Sequence, residues 1–557
     1  MKLKAKIDGR SFTVRENLVD RVVRYFDPIQ GKARLLARLQ SEMAGAMLGG
    51  YVGTSRSDRA LSGWRTAVGS PDTDILTDLQ TLRDRSRWLA RNSPLGGGAI
   101  NTTVTNVVGG GLKLQARIDR AALGLSDDQA DAWEALVERE WCLFAKHCDA
   151  MRILSFGWLQ EVAFRAALES GDVFAVLPYI SKKNSPYGLS VQLIEADRVT
   201  NPDHKPDSKT IAGGVERDQY GAPIAYYIQN THPGETYAMG TKIEWTKVRA
   251  YGDASGRRQV IHLFRMIRPG QVRGVPFLAP VIRELKQISR YTDAELMAAV
   301  ISGMLTVFVK SDGGGDSPLA PMSPTEETGA ASGDADIKLG NGAVVGLAPG
   351  EDITTVNPSR PNANFDPFFE AIVKQIGLSL EIPKEVLLKH FTASYSAARA
   401  ALLEAWKFFR NRRDWLAESF CQPIYEAFIE EAIVNERISA PGYFSDPIIR
   451  EAYCRAEWIG PAKGMINEKD EVEAAALRIE KNLSTLDRET SELTGGDWET
   501  NLRQRQKEQR MVAEAGLLPV ESNPSASNQV EQPKDGDGEE EDETEDETEQ
   551  EREEVRR

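Results

Sequence analysis

The stretch that decides the fold is Ile376–Phe428, IGLSLEIPKEVLLKHFTASYSAARAALLEAWKFFRNRRDWLAESFCQPIYEAF. Its first part continues a predicted helix, over about 368–380, that stops at the Ile382-Pro383 step because proline lacks an amide hydrogen and restricts the residue before it. A short loop rich in Lys, His, Ser and Thr follows. A long amphipathic helix then begins near Ser394 or Ser396. The stretch therefore predicts a loop between two helices, with no catalytic constellation in the loop.

The long helix changes character along its length. Its first turns carry alanines, and its later turns carry aromatic residues beside Arg410, Arg412 and Arg413. Tryptophan and arginine are favoured in protein interfaces. We therefore predict a subunit or domain interface there, while an ordinary core stripe would produce the same pattern. The predicted interface residues are Trp406, Phe409, Arg413 and Trp415.

The composition is that of a globular protein. The chain has 557 residues, 41% of them hydrophobic and 27% charged, which suits roughly two to four domains with sizeable cores. It contains only four cysteines, which argues against a disulfide framework and fits a reducing compartment. The N-terminus lacks the apolar run of a signal peptide. The longest uncharged apolar run, 297–309, is shorter than the roughly 20 residues that span a bilayer, so we expect no membrane span.

The acidity of the chain is concentrated in its last residues. From Asp535 to Arg557 there are fourteen Asp and Glu against three Arg, a balance of −11, which leaves −4 of the total −15 for the other 534 residues. Tight binding of DNA over a wide surface needs many Lys and Arg. The nearly neutral body does not favour such binding, but it is compatible with a passage through which DNA slides. We expect the tail to be disordered and to increase the solubility of the protein.

The order of elements predicts an α+β protein. Helices are expected at about 76–92, 97–108 and 126–145, the last with Ser126 as its N-cap. A helix at 157–169 is followed by alternating apolar and polar stretches as far as about 265, which predict strands. A second long helix is expected over 276–302. Strand candidates LTVFVK and AVVGLAP flank a Gly-, Ser- and Pro-rich insertion at 311–338, which is expected to be disordered.

Motifs for enzymatic chemistry are missing from the sequence. A P-loop requires G-x-x-x-x-G-K-[ST], and neither Gly109–Lys113 nor Gly340–Gly346 has that spacing. Cys142 and His147 lie five residues apart on a predicted helix, so they do not share a face and are more consistent with packing than with zinc. There is no G-x-S-x-G elbow, and the five histidines are scattered. We therefore predict no catalytic, cofactor-binding or metal-binding residues, and no cofactor.

Several blocks of sequence, in one order, resemble a single protein family. They include RSRWLARNSPLGGGAINTTVTNVVGGGLKLQAR (85–117), FGWLQEVAFRAALESGDVFAVLPY (156–179) and LSVQLIEADRVTNP (189–202). IHLFRMIRPGQVRGVPFLAPVIRELKQISRYTDAELMAAVISG (261–303), the stretch around 376–428 and WIGPAKGMINEKDEVEAAALRIEKNLST (458–485) follow. Together they resemble the portal proteins of tailed bacteriophages, in the lambda-type family, over most of residues 20–520.

The resemblance implies a portal fold, with a mainly helical wing, stem and crown, a β-rich clip insertion, and assembly into a ring. The implied parts are an N-terminal arm and wing at 1–155, a first stem helix at 156–172, a clip at 173–265, a second stem helix at 276–303, wing strands with the insertion and a helix at 304–381, a tunnel loop at 382–395, a long helix and crown at 396–520, and an acidic tail at 521–557.

The tunnel loop of the family projects into the channel, so the resemblance assigns DNA contacts to the corresponding loop here. The residues implied are Lys384, Lys389, His390, Thr392 and Ser394. A few non-specific phosphate contacts per subunit, repeated around a ring, would guide DNA without stopping it. On the residues alone, a solvated connection between two helices explains the same lysines equally well.

The resemblance implies a non-enzymatic role in the virion, with assembly in the host cytoplasm. The chain would form a dodecameric ring at one capsid vertex, as a conduit for double-stranded DNA in packaging and ejection. Implied partners are other copies of the chain, major capsid and scaffold proteins, the terminase large subunit and head-completion or connector proteins. The alternative is a DNA-processing enzyme, a metal-dependent nuclease or packaging component with dispersed acidic ligands. A membrane pore is a third class, which the missing apolar spans disfavour.

Overall fold

The computed structural model describes residues 2–7, 10–15, 17–30, 32–37, 66, 68–183, 185–235, 242–303, 307–311, 351–355, 364–391, 394–464 and 467–516. Most of the insertion at 311–338, the strand candidate AVVGLAP, Thr392 and the tail at 521–557 lie outside these residues. The chain forms two compact units, Met1–Thr77 and Asp78–Arg557. Within the described residues, no helix combines the length and the hydropathy needed to cross a bilayer.

The first unit contains a β-hairpin and short helices. Strands β1 (Lys2–Ile7) and β2 (Arg10–Arg15) pair antiparallel. Helix α1 (Leu18–Phe26) follows, and helix α2 (Pro71–Leu76) closes the unit. Ser70 caps α2 by accepting a hydrogen bond from the amide of Thr73, with Pro71 in the first helical turn, where its missing amide hydrogen costs nothing.

Five helices open the second unit. They are α3 (Leu79–Asn92), α4 (Pro94–Val107), α5 (Arg120–Leu123), α6 (Asp127–His147) and α7 (Phe156–Ser170). Ser93 follows the last residue of α3 and is also the N-cap of α4. Its hydroxyl accepts a hydrogen bond from the amide of Gly96 at 3.3 Å. The predicted cap at Ser126 is confirmed as a capping box, in which Ser126 and Gln129 exchange side-chain and backbone hydrogen bonds. The glycine stop after α4 is also confirmed, with Gly109 at φ 55°.

Seven strands follow, as the alternating sequence predicted. They are β4 (Asp172–Val176), β5 (Gln192–Glu195), β6 (Ile211–Ala212), β7 (Val215–Arg217), β8 (Pro223–Gln229), β9 (Trp245–Arg249) and β10 (Val260–Phe264). They form two antiparallel sheets, ordered β10-β4-β5 and β6-β7-β8-β9. Alternation along β4 divides its side chains between two clusters: Val173 and Ala175 join the main core, and Phe174 joins a second core with Tyr226.

The rest of the unit is mainly helical. It comprises α8 (Ile282–Gly303), the antiparallel pair β11 (Val307–Ser311) and β12 (Glu351–Thr355), α9 (Phe365–Leu380), α10 (Lys384–Leu388), α11 (Tyr395–Leu416), a π-helical turn at Ala417–Cys421, α12 (Gln422–Val434), α13 (Pro447–Cys454), β13 (Ala456–Ile459), α14 (Glu468–Glu480), α15 (Leu486–Thr494) and α16 (Trp498–Glu514). The chain also contains strand β3 (Lys113–Ala116), which pairs antiparallel with β13. This pairing ties the late segment of the chain to the early helices.

Two sequence-based boundaries need correction. The second long helix was expected from Pro276, but α8 begins at Ile282, after a 3-10 turn at Ala279–Val281. The segment 382–395 was expected as a loop throughout, but it contains the short helix α10. The prediction missed α10 because Val386 and Leu387 are buried by tertiary packing, which stabilises a helix too short to form alone.

An aromatic cluster fills the centre of the main core. Trp141 of α6 lies within 5.0–5.7 Å, between ring centroids, of Phe156, Tyr425, Phe428 and Trp458, in edge-on geometry. These residues come from α7, α12 and β13, so one side chain connects distant parts of the sequence. Aromatic pairs prefer this edge-to-face arrangement.

Candidate functional site

The loop after α9 begins with a tight turn. Glu381 adopts a left-handed conformation, with φ 59°, and the amide of Ile382 donates to the carbonyl of Gly377 at 2.9 Å. A Cβ atom on Gly377 would lie 2.5 Å from the carbonyl oxygen of Ile382, so this close approach requires glycine. Ile382 is buried. The turn is therefore fixed before the chain reaches Pro383 and α10.

Helix α10 anchors the loop to the body of the protein. Val386 and Leu387 point into the main core. Lys389 then ends the helix in a left-handed conformation, with φ 53°. The exposed part of the connection is consequently short: Lys389, His390 and Phe391 on one side, and Ser394 at the start of α11 on the other.

The structure describes four of the five residues predicted to contact DNA, and they do not all lie together. Lys389 and His390 are exposed at the tip, and Ser394 is exposed at the first turn of α11. Lys384 lies at the other end of α10, where its Nζ pairs with Glu370 of α9 at 3.0 Å. The fifth residue, Thr392, lies outside the described residues. Within the part of the chain that the structure describes, Lys389 forms no salt bridge.

The four residues predicted at a subunit interface make contacts inside their own chain. Phe409 is buried, and Trp406 and Trp415 pack against the main core. Arg413 donates hydrogen bonds to three backbone carbonyls, those of Asn106, Val107 and Pro461. Its guanidinium also lies 5.0 Å from the Trp406 ring, and burial lowers the pKa of Arg413 to about 10. An interface role stays a prediction, and the observed contacts are those of a core stripe.

A buried charge network that the sequence analysis missed joins the helices to the β-sheets. Asp172, the first residue of β4, has a fully buried side chain and accepts from Arg83 of α3 at 2.8 Å and from Nε of Arg273 at 2.6 Å. His262 of β10 lies 3.2 Å from the same carboxylate. The sequence offered one signal: a charged residue at the start of the apolar strand DVFAV, where such a residue must have a partner.

Two arginines determine the ionisation of Asp172. Burial by itself raises the pKa of this carboxyl, but the charges of Arg273 and Arg83 and the hydrogen bonds from His262 and Arg273 hold the pKa well below its usual range. Arg273 also donates to the carbonyls of Ala196, Val199 and Gly213. Arg273 therefore links the Asp172 carboxylate to the backbone of the segments that connect β5 to β6 and β6 to β7.

A second acidic group bears on the nuclease alternative, because its side chains are of the types that bind metal ions. Glu195, Asp197 and His232 place ligand atoms within 4.8 Å of one another. Arg87 lies against this group: its guanidinium pairs with Glu195 at 3.0 Å and also with Asp197. Gln80 donates to the other oxygen of Asp197 at 3.2 Å. Both carboxylates thus share the charge of Arg87, which is the arrangement of an ion-pair network.

Three of the four cysteines are packing residues, and Cys142, which was also expected to pack, is not. Cys142 is exposed, whereas Cys148, Cys421 and Cys454 are buried. Burial raises the pKa of the Cys148 thiol to about 12, so this sulfur stays protonated and is a poor nucleophile or metal ligand near neutral pH.

Comparison with known proteins identifies the family. The model of the phage portal protein family, lambda family, matches residues 57–413. Portal protein B of Escherichia phage lambda is 25% identical over 480 residues, covering 82% of this chain and 89% of the relative. The portal protein of Escherichia phage N15 is 25% identical over 499 residues, covering 85% and 93%.

Solved structures similar to this chain include a chain from the neck of a native gene transfer agent particle. It has a TM-score of 0.38 and 12% identity, and the match covers 74% of this chain and 92% of that chain. Because the family model matches well over half of the chain and the two curated relatives are aligned over most of their lengths, the chain belongs to the lambda family of phage portal proteins.

Proposed function

We propose that this portal protein forms a ring, dodecameric in the virion, at one vertex of the capsid. Double-stranded DNA would pass through the ring during packaging and ejection. The terminase large subunit would dock on it during packaging, and head-completion or connector proteins afterwards. Capsid and scaffold proteins would surround it during assembly in the host cytoplasm. The family match over residues 57–413 supports the portal role, and the ring and its partners are the part proposed.

The observation that carries the DNA-conduit role is the geometry of the loop. Helix α10 is anchored in the core by Val386 and Leu387 and is followed directly by Lys389, which is exposed and forms no salt bridge with any described residue. A single exposed lysine binds phosphate weakly. Repeated around a ring, such contacts would add up while leaving DNA free to slide.

Charge reversal at the tip tests the conduit role. Lys389→Glu should leave the ring intact and reduce the amount of DNA packaged or retained, with a smaller effect as salt is raised. The matched control is Lys407→Glu on α11, where the lysine is equally exposed but pairs with Glu404 at 2.8 Å. Equal DNA retention by wild type and Lys389→Glu rings would overturn the role given to the tip.

The positions of the stem and clip are also proposals. In the first assignment, the helices at 156–172 and 276–303 form the stem and carry the clip at 173–265. The packing supports a second assignment, because α8 lies beside α9: the Tyr291 ring is 5.5 Å from Phe365 and 5.0 Å from Phe368. These two helices would then be the stem, and the clip would be the segment 304–364 between them.

The β-sheets favour the second assignment. Residues of β4 and β10 belong to the main core, together with the buried face of α7, so this sheet is continuous with the body of the subunit. Replacing 312–350 with a short Gly-Ser linker separates the two assignments. Loss of terminase binding by rings that still assemble would support a clip at 304–364, and retained binding would support 173–265.

A further inference from the structure

A large cleft lies on the surface formed by α11, the π-helical turn, α13, β13 and α15. Its volume is about 1440 Å³, and its lining is strongly charged. The lining contains eight acidic and five basic residues, the basic ones being Arg410, Arg413, Arg450, Arg455 and Arg488. The net charge of the lining is therefore negative. Trp406 and Ile448 are among its apolar residues.

Four carboxylates of the cleft have no salt-bridge partner among the described residues. Asp414 lies on the exposed face of α11 and Glu418 one turn later, in the π-helical turn. Glu451 of α13 and Glu457 of β13 also line the cleft. Carboxylates without a salt-bridge partner that line one cleft favour a cationic occupant.

The last described helix, α16, packs against α15 near its start, and its later turns carry the complementary charge. None of its residues is buried, and positions 500–511 are all exposed. Between Arg503 and Arg510 it carries four basic residues against Glu508. Lys507 and Arg510, three residues apart and so on one face, form no salt bridge within the described chain. A helix this polar and this exposed is marginal in water unless a partner covers it.

We propose that the Lys507 face of α16 docks into the acidic cleft of a second copy of this chain. An α-helix is about 10 Å across with its side chains and rises about 1.5 Å per residue, so a three-turn segment fills roughly 1300 Å³. The cleft is large enough to take such a segment. In the structure, α16 of the same chain does not occupy the cleft, so both surfaces remain uncovered until another copy arrives.

A contact of this kind joins two different surfaces of one protein. Such a head-to-tail contact generates a closed ring when its rotation closes. The inference thus deepens the proposed function and rests on the proposed ring, for which it supplies one interface. It also assigns a role to the free carboxylates that the DNA-conduit function leaves unused.

Disulfide trapping between differently tagged full-length chains tests the contact. All chains carry Cys142→Ser, which removes the exposed native thiol. One chain carries Lys507→Cys and the other carries Asp414→Cys. We expect a disulfide-linked pair that contains one chain with each tag. Arg505→Cys is the matched control, because a residue two positions away points to the opposite side of the helix.

Charge reversal gives an independent readout. Lys507→Glu should weaken self-association several-fold at low salt, Arg505→Glu should weaken it less, and Glu418→Lys should restore the association of Lys507→Glu. If Lys507→Cys forms no more interchain disulfide than Arg505→Cys, the inference is overturned. Absence of rings in the wild-type protein, measured separately by light scattering, would count against the proposed ring and leave the trapping result to decide the contact.

Discussion

Arg83 and Asp172 form an ion pair with an N–O distance of 2.8 Å in which both side chains are almost completely buried. The pair joins α3 to the first residue of β4, across 89 positions of sequence. Arg273, in the segment before α8, forms a second ion pair with Asp172. One carboxylate therefore holds together the early helices, the β-sheets and the approach to the second long helix.

Removing the Asp172 charge should destabilise the protein strongly. Asp172→Asn leaves Arg83 and Arg273 buried without a counter-charge, and breaking a buried pair in this way typically costs about 3–5 kcal/mol. A clear fall in the thermal unfolding midpoint is expected. The matched control is Asp131→Asn on the exposed side of α6, for which a change within about 0.5 kcal/mol is expected. Similar midpoints for the two variants would contradict a structural role for the network.

The same network predicts loss of stability in acid. The pKa of Asp172 is depressed, so its contribution is fully present above the unfolded value of about 3.9 and is lost as pH falls through the lower folded value.

Protonation of His262 should lower the stability of the fold at a higher pH than protonation of Asp172 does. Burial lowers the pKa of its imidazole, while the hydrogen bond that His262 donates to Asp172 opposes the shift. The unfolded state then binds more protons below about pH 6.5, so stability falls from there downward. His262→Gln keeps a side-chain donor and removes the titration. Unfolding midpoints between pH 7 and pH 5 should vary less for this variant than for wild type, and an unchanged slope would exclude His262 as the source.

Trp141 should carry a large share of the core energy. Trp141→Ala removes the ring that contacts α7, α12 and β13, and large-to-small changes of this kind typically cost about 3–5 kcal/mol. Trp158→Ala provides the comparison, because that ring is 55% exposed and its removal leaves no buried cavity. Unfolding curves that shift equally for both variants would refute the central position of Trp141.

A close backbone approach explains one glycine of the Gly109-Gly110-Gly111 turn. Gly111 has φ 104°, and a Cβ atom there would lie 2.4 Å from the Cα atom of Gly157 in α7. Gly111→Ala should therefore lower the unfolding midpoint markedly, through both backbone strain and a clash. Gly98 in α4 has open space around it, so Gly98→Ala should be neutral or stabilising. A neutral Gly111→Ala would show that the turn can move away from α7.

Local signals in the sequence predicted much of the secondary structure. The cap at Ser126, the glycine stop after α4 and the proline after α9 each act over a few residues, so their effects can be read without tertiary information. The burial of Val386 and Leu387 depends on contacts with distant parts of the chain, and for that reason α10 was missed. The assignment of Lys384 to the exposed tip had the same weakness, since its partner Glu370 lies one helix earlier.

The buried network was harder to predict than the helices. Arg83, Asp172, His262 and Arg273 are spread over almost 200 residues, and nothing in the local sequence pairs them. The aromatic and arginine residues of α11 were easy to find in the sequence, but their role could not be predicted from it. Their pattern fits an interface or a core stripe equally well, and only the contacts of Arg413 with Asn106, Val107 and Pro461 show how they are used within the subunit.

The most direct test of the account is the assembly state of the purified full-length protein, measured as mass by light scattering together with negative-stain images. The account predicts rings with a central hole and a mass that is a multiple of the 61.6 kDa chain. A protein that stays monomeric at high concentration, and also in the presence of capsid or scaffold protein, would contradict it.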